Sequence, residues 1–262
     1  MKTRNIIFIA AILICITSCE KVIYIDLNTV NPLVIVEGNI TDLPGPYTVK
    51  LSNTVNYYDP NVFPAVAGAK VTVSDNASNS EVLKETTPGI YQTSSLQGVI
   101  GRTYSLNIVT SGGNTYTAQS TMPDSVPIDS INFTIRNDST YRTICKFKDP
   151  PGIINYYKLQ VSSNDTLALD TTNVRILEDG LADGQELSIT YRTRFVLGDT
   201  ANVMLDCIDL ATYNFYRTMA NVEGGIGASL GSPPANPVTN VSNGGLGYFS
   251  AHAVTKKSAV VH

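Results

Sequence analysis

The sequence predicts an all-β protein made of two β-sandwich units, immunoglobulin-like or transthyretin-like, with one helix in the second. Three observations carry that reading. Only 15% of the 262 residues are charged, Tyr (14) outnumbers Phe (7) and Trp is absent, which suits strands and turns rather than a helical bundle. Short runs rich in Val, Ile, Thr and Tyr alternate with period two. Gly and Pro clusters punctuate them at intervals of roughly 8–20 residues. The length accommodates one large domain or two ordinary ones.

The first sandwich is expected over residues 32–123. Leu33–Val36 is a compact apolar run, and Gly38-Asn39 and Leu43-Pro44-Gly45-Pro46 supply turn chemistry. Tyr47–Ser52 and Lys70–Asp75 alternate, the latter placing Val71 and Val73 on one face. Gly89–Tyr91 follows. Thr103–Val109 and Asn114–Thr121 then form a hairpin across Ser111-Gly112-Gly113. Met122–Pro127, with two prolines, reads as a linker. The second sandwich is expected over 124–262. Its strands are Ile128–Arg136, Tyr141–Phe147, Asn155–Val161, Leu187–Leu197 and Ala201–Cys207, with a strong turn at Asp149-Pro150-Pro151-Gly152. Asp209–Val222 breaks the period: Leu210, Tyr213, Tyr216 or Arg217, and Ala220 fall at helical spacing, and Asp209 can cap the start. Glu223–Gly247 is a long irregular segment with seven Gly and three Pro, and Gly247–Val254 returns as a closing strand.

The N-terminus fixes the expected compartment. Lys2 and Arg4 precede an apolar run, Ile6–Ile16, that is too short at about 11 residues to span a bilayer. Residues 1–18 read as a secretory signal peptide. Ile16-Thr17-Ser18-Cys19 resembles the bacterial lipobox, so Cys19 is expected to carry the acyl chains that anchor the protein, with 19–31 as a lipidated tether. The mature chain then has 16 basic against 22 acidic residues, a net charge of −6. No basic stretch exceeds two residues, which argues against nucleic-acid binding. Cys145 and Cys207 remain after Cys19. In an oxidising compartment they form one disulfide or stay as two buried thiols, and the spacing leaves both open.

Catalytic and metal signals are weak. Two His, one of them the last residue, argue against a His-based metal site or a Ser–His or Cys–His pair, and no metal or cofactor is predicted. Gly224-Gly225-Ile226-Gly227 lacks the strand and helix that would make it a phosphate cradle. Asp179-Gly180-Leu181-Ala182-Asp183-Gly184 has two Asp-Gly turns but too few oxygen ligands for a calcium loop. Glu37 reads as a satisfied acid at a sheet end, and His252 as a structural or surface residue. Six of the fifteen Asp residues begin Asp-(Ser/Thr)-X tripeptides between 124 and 200. That pattern resembles the O-glycosylation acceptor signal of Bacteroidota envelope proteins, giving Ser125, Ser130, Ser139, Thr166, Thr171 and Thr200 as candidate sites. Plain turn chemistry explains the same tripeptides.

Behind the lipobox come, in order, Ile35–Asp42 (IVEGNITD), Gly45–Ser52 (GPYTVKLS), Gly68–Val73 (GAKVTV), Gly89-Ile90-Tyr91, Asn236–Val241 (NPVTNV) and Gly244–Ala251 (GGLGYFSA). This set resembles the Bacteroidota lipoprotein family catalogued as domain of unknown function 4249. The resemblance implies an outer-membrane lipoprotein, often encoded near a TonB-dependent receptor, which is the candidate partner. It transfers no catalytic residue, and Glu20 as the only acid in the first six residues after Cys19 leaves the face of the membrane open. The expected function is therefore a non-enzymatic binding or accessory lipoprotein. Its contact surface is placed at Pro233, Pro234, Asn236, Pro237 and Asn240, with Tyr213 and Tyr216 as aromatic anchors. Packing of this segment across the sandwich end is the competing reading. The alternatives are an envelope or polysaccharide hydrolase using acids such as Glu37, Asp179 and Asp183, and an adhesin or fimbrial-type subunit.

Overall fold

The computed structural model describes residues 31–56, 60, 62–137, 139–164, 174–222 and 236–262. The elements are β1 (Val34–Thr41), β2 (Thr48–Asn53), β3 (Lys70–Asp75), β4 (Ser80–Val82), β5 (Lys84–Thr87), β6 (Ile90–Gln92), β7 (Thr103–Val109) and β8 (Thr115–Thr121). They continue with β9 (Ser130–Asn137), β10 (Thr140–Lys148), β11 (Tyr156–Ser163), β12 (Val174–Glu178), β13 (Glu186–Thr190), β14 (Thr200–Ile208), α1 (Leu210–Val222) and β15 (Leu246–Val260). No described helix is long and apolar enough to cross a membrane.

The strands form an eight-stranded sheet in the order β12-β11-β14-β15-β1-β2-β6-β5, a four-stranded sheet β4-β3-β7-β8 and a three-stranded sheet β13-β10-β9. The architecture is thus all-β sandwich with one helix among the described elements longer than a single turn. Alternation explains the first layer. In β1, Val34, Val36 and Ile40 point inward while Ile35, Glu37 and Asn39 point the other way. They pack in one apolar cluster with Val49, Leu51 and Tyr91 from their own sheet and Val71, Val73, Leu106 and Ile108 from the four-stranded sheet. In the second sandwich Phe147 of β10 meets Tyr157 of β11 edge-on, ring centroids 5.0 Å apart, which joins the three-stranded sheet to the large one.

The Tyr-rich composition has a structural use. A buried Tyr brings ring area to the core and a hydroxyl that can hold a loop. Tyr91 donates to the Val66 carbonyl (2.8 Å) and accepts from the Ala69 amide (2.9 Å). Tyr47 donates to the Leu43 carbonyl (2.7 Å) and accepts from the Gly98 amide (2.8 Å). Both pin connections that carry little apolar pattern of their own.

The division expected at 123/124 is revised by β15. Leu246–His252 runs parallel to Ile35–Thr41 of β1, and from Ala253 to Val260 the same strand pairs antiparallel with β14. Residues 32–55 and 59–262 accordingly form one compact unit. The C-terminal strand belongs to both sandwiches, so neither 32–123 nor 124–262 is complete alone. Three element boundaries also move. Gly38-Asn39 is not a turn: β1 continues to Thr41, and Gly38 serves close packing, since a Cβ there would lie 2.9 Å from the Phe249 ring. The expected strand Leu187–Leu197 ends at Thr190, after which the Tyr191 amide still donates to the Thr143 carbonyl (2.9 Å) and Phe195 bridges back to Tyr141. β15 runs to Val260 rather than Val254, because Thr255–Val260 continue to pair antiparallel with Leu205–Thr200 of β14.

Gly247 has φ +86°, and a Cβ would sit 2.0 Å from the Val36 carbonyl oxygen. Gly247→Ala should therefore force β1 and β15 apart and lower stability by at least about 2 kcal/mol in denaturant unfolding. A change under about 0.5 kcal/mol would show that the close approach is not needed.

Candidate functional site

The residues expected to make contact separate into three groups. Pro233 and Pro234 lie outside the described residues. Asn236 is exposed and Pro237 half-buried. Asn240 is committed internally: its amide nitrogen donates to the carbonyls of Gln119 (3.0 Å) and Phe249 (2.7 Å), and its oxygen accepts the Phe249 amide (3.0 Å). Next to it, Ser242 exchanges bonds with Thr117 through both backbone and hydroxyl, and Asn243 donates to the Thr115 carbonyl (3.1 Å). Asn240–Asn243 therefore covers the free edge of β8 and ties it to β15. A side chain spending its donors and acceptor this way is a lock, and Asn240 is corrected from a contact residue to a structural one.

Helix α1 carries the two Tyr. Asp209 caps it, accepting the Thr212 amide (2.8 Å) at Oδ1, and its Oδ2 accepts the Ser120 hydroxyl (2.6 Å) from β8. Tyr213 stacks on Tyr156 with centroids 4.9 Å apart, and the Arg217 guanidinium lies 5.7 Å from its ring. Tyr216 packs against Tyr248 (5.2 Å), with the Lys158 ammonium 5.3 Å from its ring centroid. Burial pushes the Tyr216 hydroxyl up to about 12. Tyr213 and Tyr216, expected as aromatic anchors beside a partner contact, thus clamp the helix to the outer face of the large sheet.

Beneath the helix lies a polar layer that composition did not reveal. Lys158 and Asp206 form a buried ion pair at 2.5 Å, and Asp206 Oδ1 has no donor. They are cross-strand partners of β11 and β14, so the pair follows from register. On β15, Ser250 Oγ sits 3.0 Å from His252 Nδ1, both residues buried. A Ser beside a His invites a nucleophile reading, but Ser250 is only 1% and His252 only 7% exposed.

The other sequence candidates fall as follows. Glu37 pairs with Lys50 at 2.9 Å across β1 and β2. Cys145 and Cys207 are free, buried thiols on β10 and β14, so the disulfide is not formed. Burial pushes both up to about 12, which keeps them protonated and unreactive. Ser125 is exposed between β8 and β9, Ser139 is exposed in the β9–β10 turn, and Ser130 and Thr200 are half-buried first residues of β9 and β14. Asp199 accepts the Val196 amide and the Asn164 side chain, so its tripeptide serves a turn. Cys19, Thr166, Thr171 and Gly224–Gly227 lie outside the described residues.

The most distinctive arrangement is at one end of the second sandwich. The loop from Asp149 to Asn155, between β10 and β11, faces the loop from Asp179 to Gln185, between β12 and β13. Carboxylates stitch them together. Asp149 accepts the Tyr157 hydroxyl in a short bond and the Gly184 amide at 2.9 Å. Asp183 accepts the Gly152 amide (2.7 Å), and Asp179 accepts the Asn155 amide (3.0 Å). Oxygens of Asp149, Asp179 and Asp183 all lie within 4.8 Å of one another. On the outside of these pinned loops stand Ile153, Ile154 and Leu181, at 62%, 65% and 108% exposure. The sequence marked both segments as turns and missed that Asp149 joins the other two acids. The available signal was aliphatic residues inside turn motifs, Pro-Pro-Gly-Ile-Ile-Asn and Asp-Gly-Leu-Ala-Asp-Gly, where polar residues are usual. Of the acids offered for a hydrolase, Asp179 and Asp183 come together with Asp149, while Glu37 lies on β1 paired with Lys50.

Residues 20–258 match the family described as domain of unknown function (DUF4249). The chain belongs to that family. No curated protein matches the chain significantly. Among solved structures, this DUF4249 protein is similar to a cytokine receptor complex at 10% identity and TM-score 0.27, covering 85% of this chain and 94% of that one. It is also similar to a two-domain fibronectin type III segment of chicken tenascin at 12% identity and TM-score 0.23, covering 68% and 91%. At such scores the likeness is loose, and the fold rests on the strand pairing itself.

The polar layer makes a pH signature. Burial lowers the His252 imidazole below its ordinary 6.5, with Lys158 pushing the same way, while Asp206, Asp42 and Asp209 pull upward without offsetting it. The unfolded chain therefore takes up the proton first as pH falls, so stability is fullest above about 6.5 and declines below it until the folded pKa is reached. The melting temperature of the wild-type protein should fall between pH 7 and pH 5, and His252→Gln should flatten that slope. An equal slope in both proteins would rule His252 out as its source.

Proposed function

We propose that this DUF4249 protein is a non-enzymatic accessory lipoprotein of the outer membrane, anchored through acylated Cys19, that grips a protein partner with the loop tip of its second sandwich. The carrying observation is the exposure of Ile153, Ile154 and Leu181 on two loops held rigidly from behind. Single exposed aliphatics are ordinary, but here three stand exposed on two loops that hydrogen bonds tie together, and apolar side chains gain by being covered. Rigid backing matters equally, because loops already fixed lose little entropy on binding. The lipobox-like Ile16-Thr17-Ser18-Cys19 supports the anchor, and the mature net charge of −6 offers no basic hold on a membrane. A TonB-dependent receptor is the partner suggested by the family resemblance.

Two measurements test the parts separately. Cys19→Ser should move the protein from the membrane fraction to the soluble fraction, with loss of diacylglycerol mass from the mature N-terminus. An unmodified N-terminus elsewhere in the wild-type protein would end the anchor reading. The combined Ile153→Ser, Ile154→Ser and Leu181→Ser variant should melt within a few degrees of wild type, because these side chains are outside the core. It should recover at least about tenfold less partner from native outer membranes, the equivalent of about 1.4 kcal/mol. Full recovery by a folded variant would remove the tip as the contact.

A further inference from the structure

We infer that the Asp149–Asp179–Asp183 cluster is a divalent-cation site, with calcium the ion its chemistry fits. The two loops bring three carboxylates from separate parts of the chain to within 4.8 Å of one another. That is the span two oxygens reach on opposite sides of one calcium ion at about 2.4 Å each. Proximity alone proves little, since acidic residues often gather on surfaces. Here the decisive point is an oxygen without a partner. Asp179 is only 4% exposed, its Oδ2 accepts the Asn155 amide, and its Oδ1 is buried with no donor. Asn155 joins the same loop pair through its backbone, and its side-chain Oδ1 is also buried without a donor. Two buried oxygens left bare among the described residues, one just before β11 and one just after β12, are a cost that native structures rarely leave unmet.

Charge points the same way. Asp149 is fully buried and Asp179 nearly so, yet no Lys or Arg pairs with any of the three acids among the described residues. The one buried ion pair described, Lys158–Asp206, belongs to the layer under the helix. Buried carboxylates without a counter-charge are strongly unfavourable, and a divalent cation supplies that charge. The donors are all oxygen, three carboxylates, with Asp183 exposed and so open to water on the outer side. That hard set suits calcium or magnesium rather than zinc or copper. Calcium accepts irregular geometry and six to eight ligands, whereas magnesium demands a near-ideal octahedron. The cluster also has the outer hydrogen bonds that orient ligands: Tyr157 and the Gly184 amide hold Asp149, and the Gly152 amide holds Asp183.

The test uses the mature full chain in detergent and reads the ion directly, without any partner, so its failure is distinct from failure of the binding reading. Tyr157, bonded to Asp149, places an antenna beside the ion. Terbium should therefore luminesce on Tyr excitation with one-to-one stoichiometry, and excess calcium should quench it by displacement. Calcium should raise the melting temperature relative to chelator. Asp179→Asn should abolish the sensitised emission. Asp183→Asn, at an exposed position where folding is not at risk, should weaken apparent calcium affinity at least about tenfold. Absence of Tyr-sensitised terbium emission from the wild-type chain would overturn the site. So would emission and calcium affinity unchanged in a folded Asp183→Asn variant.

Discussion

The structure depends on the parallel pairing of β1 with the first half of β15. It joins residues roughly two hundred positions apart and makes the C-terminal strand the neighbour of the first one. Two glycines permit it. Gly38 makes room for the Phe249 ring, and Gly247 takes a left-handed conformation against the Val36 carbonyl. Once that seam is closed, β15 continues across to β14, and the second sandwich is placed by the same strand that completes the first. The β8 edge and helix α1 then follow from it, through Asn240 on the Phe249 backbone and Ser120 bridging the Ala251 amide (2.7 Å) and Asp209.

Much of this was legible locally. Val71 and Val73, the Thr103–Thr121 hairpin and the Asp209-capped helix could be read because each depends on neighbours within a few residues. The short β4, β5 and β12 were not read, since three to five residues give a period too little length to show. The seam itself was illegible for a different reason. Parallel pairing leaves no turn between its strands, so both strands could be read while their pairing could not. Gly38-Asn39, a turn by composition, is strand because of a Phe more than two hundred residues away.

The candidate functional residues divide along the same line. Cys19 and the tripeptide sites are proposals from short motifs, made without a fold. The Lys158–Asp206 pair and the Asp149–Asp179–Asp183 cluster exist only after β11, β14 and the two loops are in register, so the sequence offered Asp179 and Asp183 as an incomplete set. Asn240, Tyr213 and Tyr216 show the converse. Polar and aromatic residues in an irregular segment resemble contact groups in sequence, yet in the fold they are spent on backbone carbonyls and ring stacking.

The shared strand also has a mechanical consequence. Any tether acts through the residues that lead into β1, while a load on the far sandwich returns along β15 from its other end. Because the two strands run in the same direction, such a pull slides them past one another. The hydrogen bonds of the seam then bear force together instead of parting one by one. A chain joined this way resists extension along its length far better than two beads on a flexible linker, and transmits a tug on one sandwich to the other without slack.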